Sequence, residues 1–275
     1  MAAKLPTCES LLLRRDDSRL YVTLNRPETR NALGGDMVGE LLAVIDAIED
    51  DRSIRTVILR GADGTFCAGG DIRGFRASFE APKPAGAEKD PIAINNRRFG
   101  DFLIRWNRLP QTVVAVIEGA AFGGGLGLAC VNDVAIAKAD TRFALSETGL
   151  GIPPAQIAPF VVQRLGLTTA RRLMLTGARF DGRHAHQVGL VHFVCDDDAA
   201  LDATLTEVLN GIGRCAPGAN AATKDILHSL GEMPLTDVLD RAADHFADQM
   251  RGPEGREGVA AFLEKRRAAW VEKLD

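Results

Sequence analysis

The 275-residue sequence predicts an α/β fold with parallel strands, followed by a helical C-terminal region. Three observations predict it. Short apolar, β-branched runs alternate with amphipathic helical segments over residues 1–198, an order that implies parallel strands joined by right-handed crossovers. Two of those runs end in glycine-rich turns. From about residue 199 the strand pattern stops, and Ala, Asp and Leu dominate a stretch punctuated by Pro217 and Pro234. The expected organisation is an α/β core over 1–198 and a helical region over 199–275.

Residues 20–24 read as a strand stopped by Pro27. Met37, Leu41, Leu42, Ile45 and Ile48 fall at helical spacing and predict a helix over 37–50. Residues 56–60 are a compact β-branched strand that runs into the first glycine turn, GADGTFCAGGDI, from Gly61 to Ile72. Residues 78–91, rich in Pro, Ala, Gly and charge, read as a mobile surface loop. An amphipathic helix is expected over 97–109. A buried strand over 113–117 enters the second turn, Gly119 then Gly123, Gly124 and Gly125. A helix over 126–131, a strand over 134–137, helices over 160–165 and 169–176, and a short late strand over 188–194 complete the first part.

Composition excludes several functions. The net charge is −4 and aromatic residues are 5% of the chain, which offers neither a basic footprint nor a stacking surface for nucleic acid. No apolar run reaches membrane-spanning length. The N-terminus lacks the charged start and apolar core of a signal peptide. The cysteines Cys8, Cys67, Cys130, Cys195 and Cys215 are odd in number with no C-x-x-C spacing, so they read as thiols of a reducing compartment. A cytoplasmic protein is expected.

The second glycine turn carries the chemistry. A strand, a glycine turn and a helix N-terminus aim free N–H groups and the positive end of a helix dipole at one point, which suits a negative oxygen. Glycine lets a ligand come close to that backbone. Glu147 follows Phe143, Ala144 and Leu145, and partial burial there would raise its pKa toward the range useful for acid–base work. Taken alone, Gly123–Gly125 could equally serve close helix packing, and a lone loop glutamate is usually solvated. Asp71 suits a helix cap, and Asp133 suits a structural, hydrogen-bonded aspartate. Cys67 has no base to make it a nucleophile. His184, His186 and His192 read as surface and turn residues, and no metal site is expected.

The motifs Asn25-Arg26-Pro27 with Asn31-Ala32-Leu33, Phe66–Ile72, Glu118-Gly119 with Gly123–Gly125 and Asp133, and EGREGVAAFLEKR at 254–266, taken in this order, resemble the crotonase, or enoyl-CoA hydratase/isomerase, superfamily. The resemblance spans nearly the whole chain. It implies a spiral of ββα units with a C-terminal helical trimerisation region, an acyl-CoA thioester substrate, no further cofactor, and a homotrimer or dimer of trimers. It places the two donors of an oxyanion hole at the N–H groups of Ala68 and Gly124 and matches Glu147 to a catalytic glutamate. Ala68, Gly69, Gly70, Asp71, Ile72, Gly124 and Gly127 would line the substrate, and Phe262 and Lys265 would lie near a neighbour's CoA, with the lysine facing phosphate.

The sequence departs from the best-known hydratases at Gly127, where they carry a first glutamate, and over residues 151–160, GIPPAQIAPF, where they carry a glycine-rich turn. Two readings within the family follow. One is a hydratase of branched, 3-substituted glutaconyl-CoA, because PAQIAPFVVQR, ARFDG, GLVHFV and CAPGANAATK resemble the isohexenylglutaconyl-CoA hydratases of acyclic terpene breakdown. The other is a Δ3,Δ2-enoyl-CoA isomerase, which needs one glutamate. A non-catalytic acyl-CoA-binding scaffold is the reading of a different class, and the retained Glu147 argues against it.

Overall fold

The structure, a computed structural model, describes residues 4–71 and 89–272. Ile72 and residues 78–88 of the expected loop lie outside the described residues. A hairpin of β1 (Leu11–Asp16) and β2 (Arg19–Leu24) opens the chain, its turn closed by Asp17 in the left-handed region. Helix α1 (Gly35–Ile48) leads to β3 (Thr56–Gly61). Helix α2 (Pro91–Asn107) precedes β4 (Thr112–Ile117), β5 (Ala120–Phe122) and α3 (Gly124–Cys130). Strands β6 (Val134–Lys138) and β7 (Arg142–Ala144), helix α4 (Ala158–Thr176), β8 (Arg179–Phe180), α5 (Gly182–Gln187) and β9 (Phe193–Cys195) complete the α/β part. Helices α6 (Asp198–Gly213), α7 (Pro217–Ser229), α8 (Leu235–Arg251) and α9 (Pro253–Leu263) follow.

The main sheet has the order β1-β2-β3-β4-β6-β9, parallel throughout except for the β1–β2 hairpin. A second sheet, β5-β7-β8, stands beyond the ends of β4 and β6. Side-chain alternation assigns each strand residue to one of two cores. Val57, Leu59, Val113, Ala115 and Ile117 pack with Met37, Leu41 and Ile45 of α1 and with Phe102 and Trp106 of α2. Ile58, Val114, Val116 and Ile136 pack with Leu201 and Leu209 of α6. Both faces of β3 and β4 are covered, which is why these strands read as continuous apolar runs. The first helix of the 199–275 region thus forms part of the sheet's own packing.

Three expectations change in detail. The late strand is confined to Phe193–Cys195, the residues that pair with Ile136–Lys138 of β6. The segment expected as loop over 78–91 ends in structure, with the Asp90 side chain capping α2 at the Ile92 N–H and Pro91 in the first turn. The two expected helices around residue 166 are one element broken at Gly166, whose φ of 72° and ψ of 157° are not helical. Strands β1, β5, β7 and β8 went unread in the sequence; the last three have two or three residues each, too few to show a period.

Candidate active site

The two glycine turns lie side by side because the backbone ties them. Cys67 N–H donates to Ala120 O at 2.9 Å and Phe122 N–H donates to Cys67 O at 3.0 Å. The segment before α1 is tied to the first turn in the same way, with Leu33 N–H donating to Gly69 O at 2.8 Å and Asp71 N–H donating to Leu33 O at 3.2 Å. Asn31, fully buried, holds this junction. Its amide donates to Ala62 O and Thr65 O and its side-chain oxygen accepts the Arg26 N–H. This is the physical content of the Asn-Ala-Leu motif.

These ties decide which N–H groups are free. Ala68 N–H donates to Arg30 O at 2.9 Å, so the donor expected at Ala68 is already committed to the backbone. Gly70 N–H has no acceptor among the described residues, and neither does Gly124 N–H at the start of α3. The available pair is therefore Gly70 and Gly124, which corrects the expected one. Leu33 bridges them: it pairs with Gly70, and its Cδ1 lies 3.5 Å from where a Cβ on Gly124 would be. Phe99 of α2 is equally close to that point.

Gly123 makes the sharp entry to α3 with φ 48° and ψ −117°, a conformation open to glycine alone. Its N–H donates to Ala144 O at 2.9 Å. The Glu147 carboxylate stands directly over it, since a Cβ on Gly123 would lie 2.8 Å from Oε1. Glu147 begins a 3-10 turn, Glu147–Leu150, that Thr148 pins by donating to Met174 O at 2.9 Å. Glu147 Oε2 is buried and has no hydrogen-bond partner among the described residues. Burial raises the pKa of this carboxyl above its usual range, and a hydrogen bond from its own backbone lowers it by less.

Gly127, expected to line the substrate, is buried, and its open side is filled. A Cβ there would lie 2.6 Å from Ile157 Cβ, and closer still to Cγ2. The space anticipated beside α3 is thus occupied by Ile157, on which the sequence gives no signal because the contact is tertiary. Gly69, with φ 104°, approaches Phe122 O, and Asp71 forms an ion pair with Arg26 at 3.6 Å. Asp133 is structural as expected, accepting from Val113 N–H and Lys224 Nζ, each at 2.7 Å. Burial pushes the Cys67 thiol up to about 12, which keeps it protonated. His192 is exposed, as expected of a surface residue, and its ring is held in place: Nδ1 accepts the Ala135 N–H at 3.0 Å and Nε2 faces Arg164.

Phe262 is 82% exposed and Lys265 is exposed, and α9, which carries Phe262, packs on α8. The tail is anchored where strands begin. Arg55, before β3, donates to Trp270 O at 2.7 Å and pairs with Glu272, and Lys224 donates to Gln111 O, before β4, at 3.0 Å. Gly70, Gly124 and Glu147 all follow strand ends, about 20 Å away along a six-residue strand. A cleft of about 680 Å³, lined by Arg108, Lys224, Asp225 and Arg241 among others, also opens at the end where the strands begin, away from the two glycine turns.

Two N–H groups without an acceptor among the described residues, beside a desolvated carboxylate, can stabilise a carbonyl oxygen that becomes anionic while a proton moves at the neighbouring carbon. That is the chemistry of a general-base enzyme working on an activated carbonyl compound. Comparison with known proteins gives the family. The model of the enoyl-CoA hydratase/isomerase family matches residues 14–273, and the chain belongs to that family. It is 54% identical to Pseudomonas aeruginosa AtuE, covering 96% of this chain and all of that one, with a TM-score of 0.91. It is 46% identical to an enoyl-CoA hydratase/isomerase from Marinobacter aquaeolei over the same shares, with a TM-score of 0.92. The 2,3-dehydroadipyl-CoA hydratase of Escherichia coli K12 is 30% identical over 93% of this chain and 96% of the relative. The fold is accordingly the mixed α/β crotonase fold with a helical C-terminal region, and the protein is an enzyme of this family.

Proposed function

We propose that the enzyme adds water across C2=C3 of a branched, 3-substituted glutaconyl-CoA of the isohexenylglutaconyl type, with Glu147 as its one working carboxylate. The observation that carries the proposal is the Glu147 carboxylate over Gly123, its Oε2 buried and without a hydrogen-bond partner among the described residues, one residue before Gly124, whose N–H likewise has no acceptor among them. The N–H groups of Gly70 and Gly124 hold the thioester oxygen as it gains charge, an arrangement worth about 3 kcal/mol per donor. Glu147 takes a proton from water as the hydroxyl adds to C3, and returns it to C2 as the enolate collapses. The substrate's own distal carboxylate orients the water. A relative acting on another unsaturated diacid thioester, named for 2,3-dehydroadipyl-CoA, supports the substrate class. The CoA group belongs to the substrate, and Phe262 and Lys265 meet it from a neighbouring subunit.

A second reading, Δ3,Δ2-enoyl-CoA isomerase, is favoured by one observation: Ile157 fills the place beside Gly127, which leaves Glu147 to move a proton alone between C2 and C4. A substrate panel separates the readings. Crotonyl-CoA, 3-methylglutaconyl-CoA, isohexenylglutaconyl-CoA and a 3-enoyl-CoA are incubated with enzyme and the products weighed. Gain of one water, fastest on the glutaconyl thioesters, is the expected result. Conversion of the 3-enoyl thioester without change of mass, and none of the others, would establish the isomerase. Binding without turnover of any of them would leave a scaffold.

A further inference from the structure

Ile157 sits just before α4, 3% exposed, and its position is fixed from both sides. Its carbonyl accepts the Val161 N–H at 3.0 Å, and Ala158 N–H donates to Pro154 O at 3.0 Å. The preceding Gln156 donates to Asn96 of α2 at 2.9 Å, and its Oε1 stands where a Cβ on Gly100 would be. The segment is thereby clamped between α2 and α3, and its isoleucine points at Gly127. On α3, residues three and four apart share a face. Glu147 stands over Gly123, Leu33 and Phe99 stand over Gly124, and Ile157 stands over Gly127, one turn further along. An apolar wall of Leu33, Phe99 and Ile157 therefore runs beside the carboxylate, and its far end is a single side chain packed on a glycine.

We infer that Ile157 is a specificity-determining residue: wedged on Gly127, it sets how much room beside the Glu147 carboxylate is left for a substituent at C3 of the acyl chain. The inference rests on the proposed reading of this site as an acyl-CoA site. Gly127 and Ile157 work as a pair, because atoms added at 127 must be removed at 157. One methylene of pocket shape is worth about tenfold or more in discrimination, so this one pair can move selectivity measurably.

The test uses Ile157→Ala, Gly127→Ala and the double variant of the full chain. Affinities for butyryl-CoA and for 3-methylbutyryl-CoA, which are saturated and unreactive, are measured by calorimetry. The ratio of kcat/KM for 3-methylglutaconyl-CoA over crotonyl-CoA and the melting temperature are measured beside them. Ile157→Ala is expected to shift both ratios toward the C3-branched compound by about tenfold. Gly127→Ala alone should lower the melting temperature, and Ile157→Ala added to it should restore part of the loss. Should Ile157→Ala not fold, Ile157→Val carries the same test with a smaller shift in the same direction. Binding and turnover ratios that stay within twofold of wild type in a folded Ile157 variant would overturn the inference. A wild-type enzyme that hydrates none of the thioesters would defeat the hydratase reading, while the binding ratio would still decide the role of Ile157.

Discussion

Glu147 owes its character to a neighbour without a side chain. Gly123 lets the carboxylate lie on the backbone, out of water, and desolvation raises its pKa. As the proposed base, Glu147 must be ionised to act, so kcat/KM should fall with decreasing pH through an inflection above the ordinary glutamate value of about 4.3. The sign for stability is opposite. A carboxyl whose folded pKa is raised stabilises the fold when protonated, and that contribution is lost as pH rises from the ordinary value through the raised one. Glu147→Gln should therefore lose about 10²–10⁴-fold in turnover while melting no lower than wild type at neutral pH. A variant that retains near-full turnover would remove Glu147 as the base. One that loses turnover but melts well below wild type would show that the residue holds structure.

At the scale of the element, α3 is short and must be held at both ends. Its N-terminus rests on the first glycine turn, where a Cβ on Gly125 would lie 2.8 Å from Cys67 Cβ. Its C-terminal end is met by Arg164 of α4, which donates to Ala129 O at 3.5 Å and, just past the helix, to Asn132 O at 2.7 Å. Just beyond, Asp133 joins the starts of β4 and β6 to Lys224 of α7. Burial lowers the Lys224 pKa more than Asp133 raises it, so the lysine depends on its partner. Asp133→Ala leaves the largely buried Lys224 cation without its carboxylate, with the Gln111 carbonyl as its remaining acceptor among the described residues, and should cost about 3 kcal/mol in chemical denaturation. Lys224→Met added to that change should recover much of the loss. A loss below about 1 kcal/mol, the level of an exposed pair, would mean that the pair carries little of the packing between tail and sheet.

The molecule as a whole separates chemistry from anchoring. The candidate site stands beyond the ends of the parallel strands, and the helical tail is fastened where those strands begin. One chain leaves Leu235, Leu239, Phe246 and Met250 of α8 exposed along a single stripe, with Val259, Phe262 and Leu263 exposed on α9. Stripes of this kind mark association surfaces. The expected state in solution is a homotrimer or a dimer of trimers, read by light scattering at assay concentration. Leu239→Glu with Phe246→Glu should dissociate it and weaken acyl-CoA binding, because Phe262 and Lys265 would no longer meet a neighbour's site. A wild-type monomer that turns over substrate at full rate would refute this arrangement.

The alternation of β-branched strands with amphipathic helices, the two glycine turns and the helical region after residue 199 follow from local pattern, because a strand or helix face must repeat its apolar residues to be buried. Glu147 and Gly124 were legible for a related reason. A glycine cluster at a helix start and a carboxylate among apolar residues are local signatures of anion binding and raised acidity. The tertiary structure decided what depends on pairing between distant segments. Ala68 and Gly70 are alike in sequence, both small residues of one turn, but Arg30 O takes the N–H of the first and that of the second has no acceptor among the described residues. The same holds at Gly127, where a glycine suggests empty space until Ile157, thirty residues further on, is folded against it. Which donors remain free and which gaps remain open depend on how the turns and helices lie against one another, and no spacing along the chain encodes that directly.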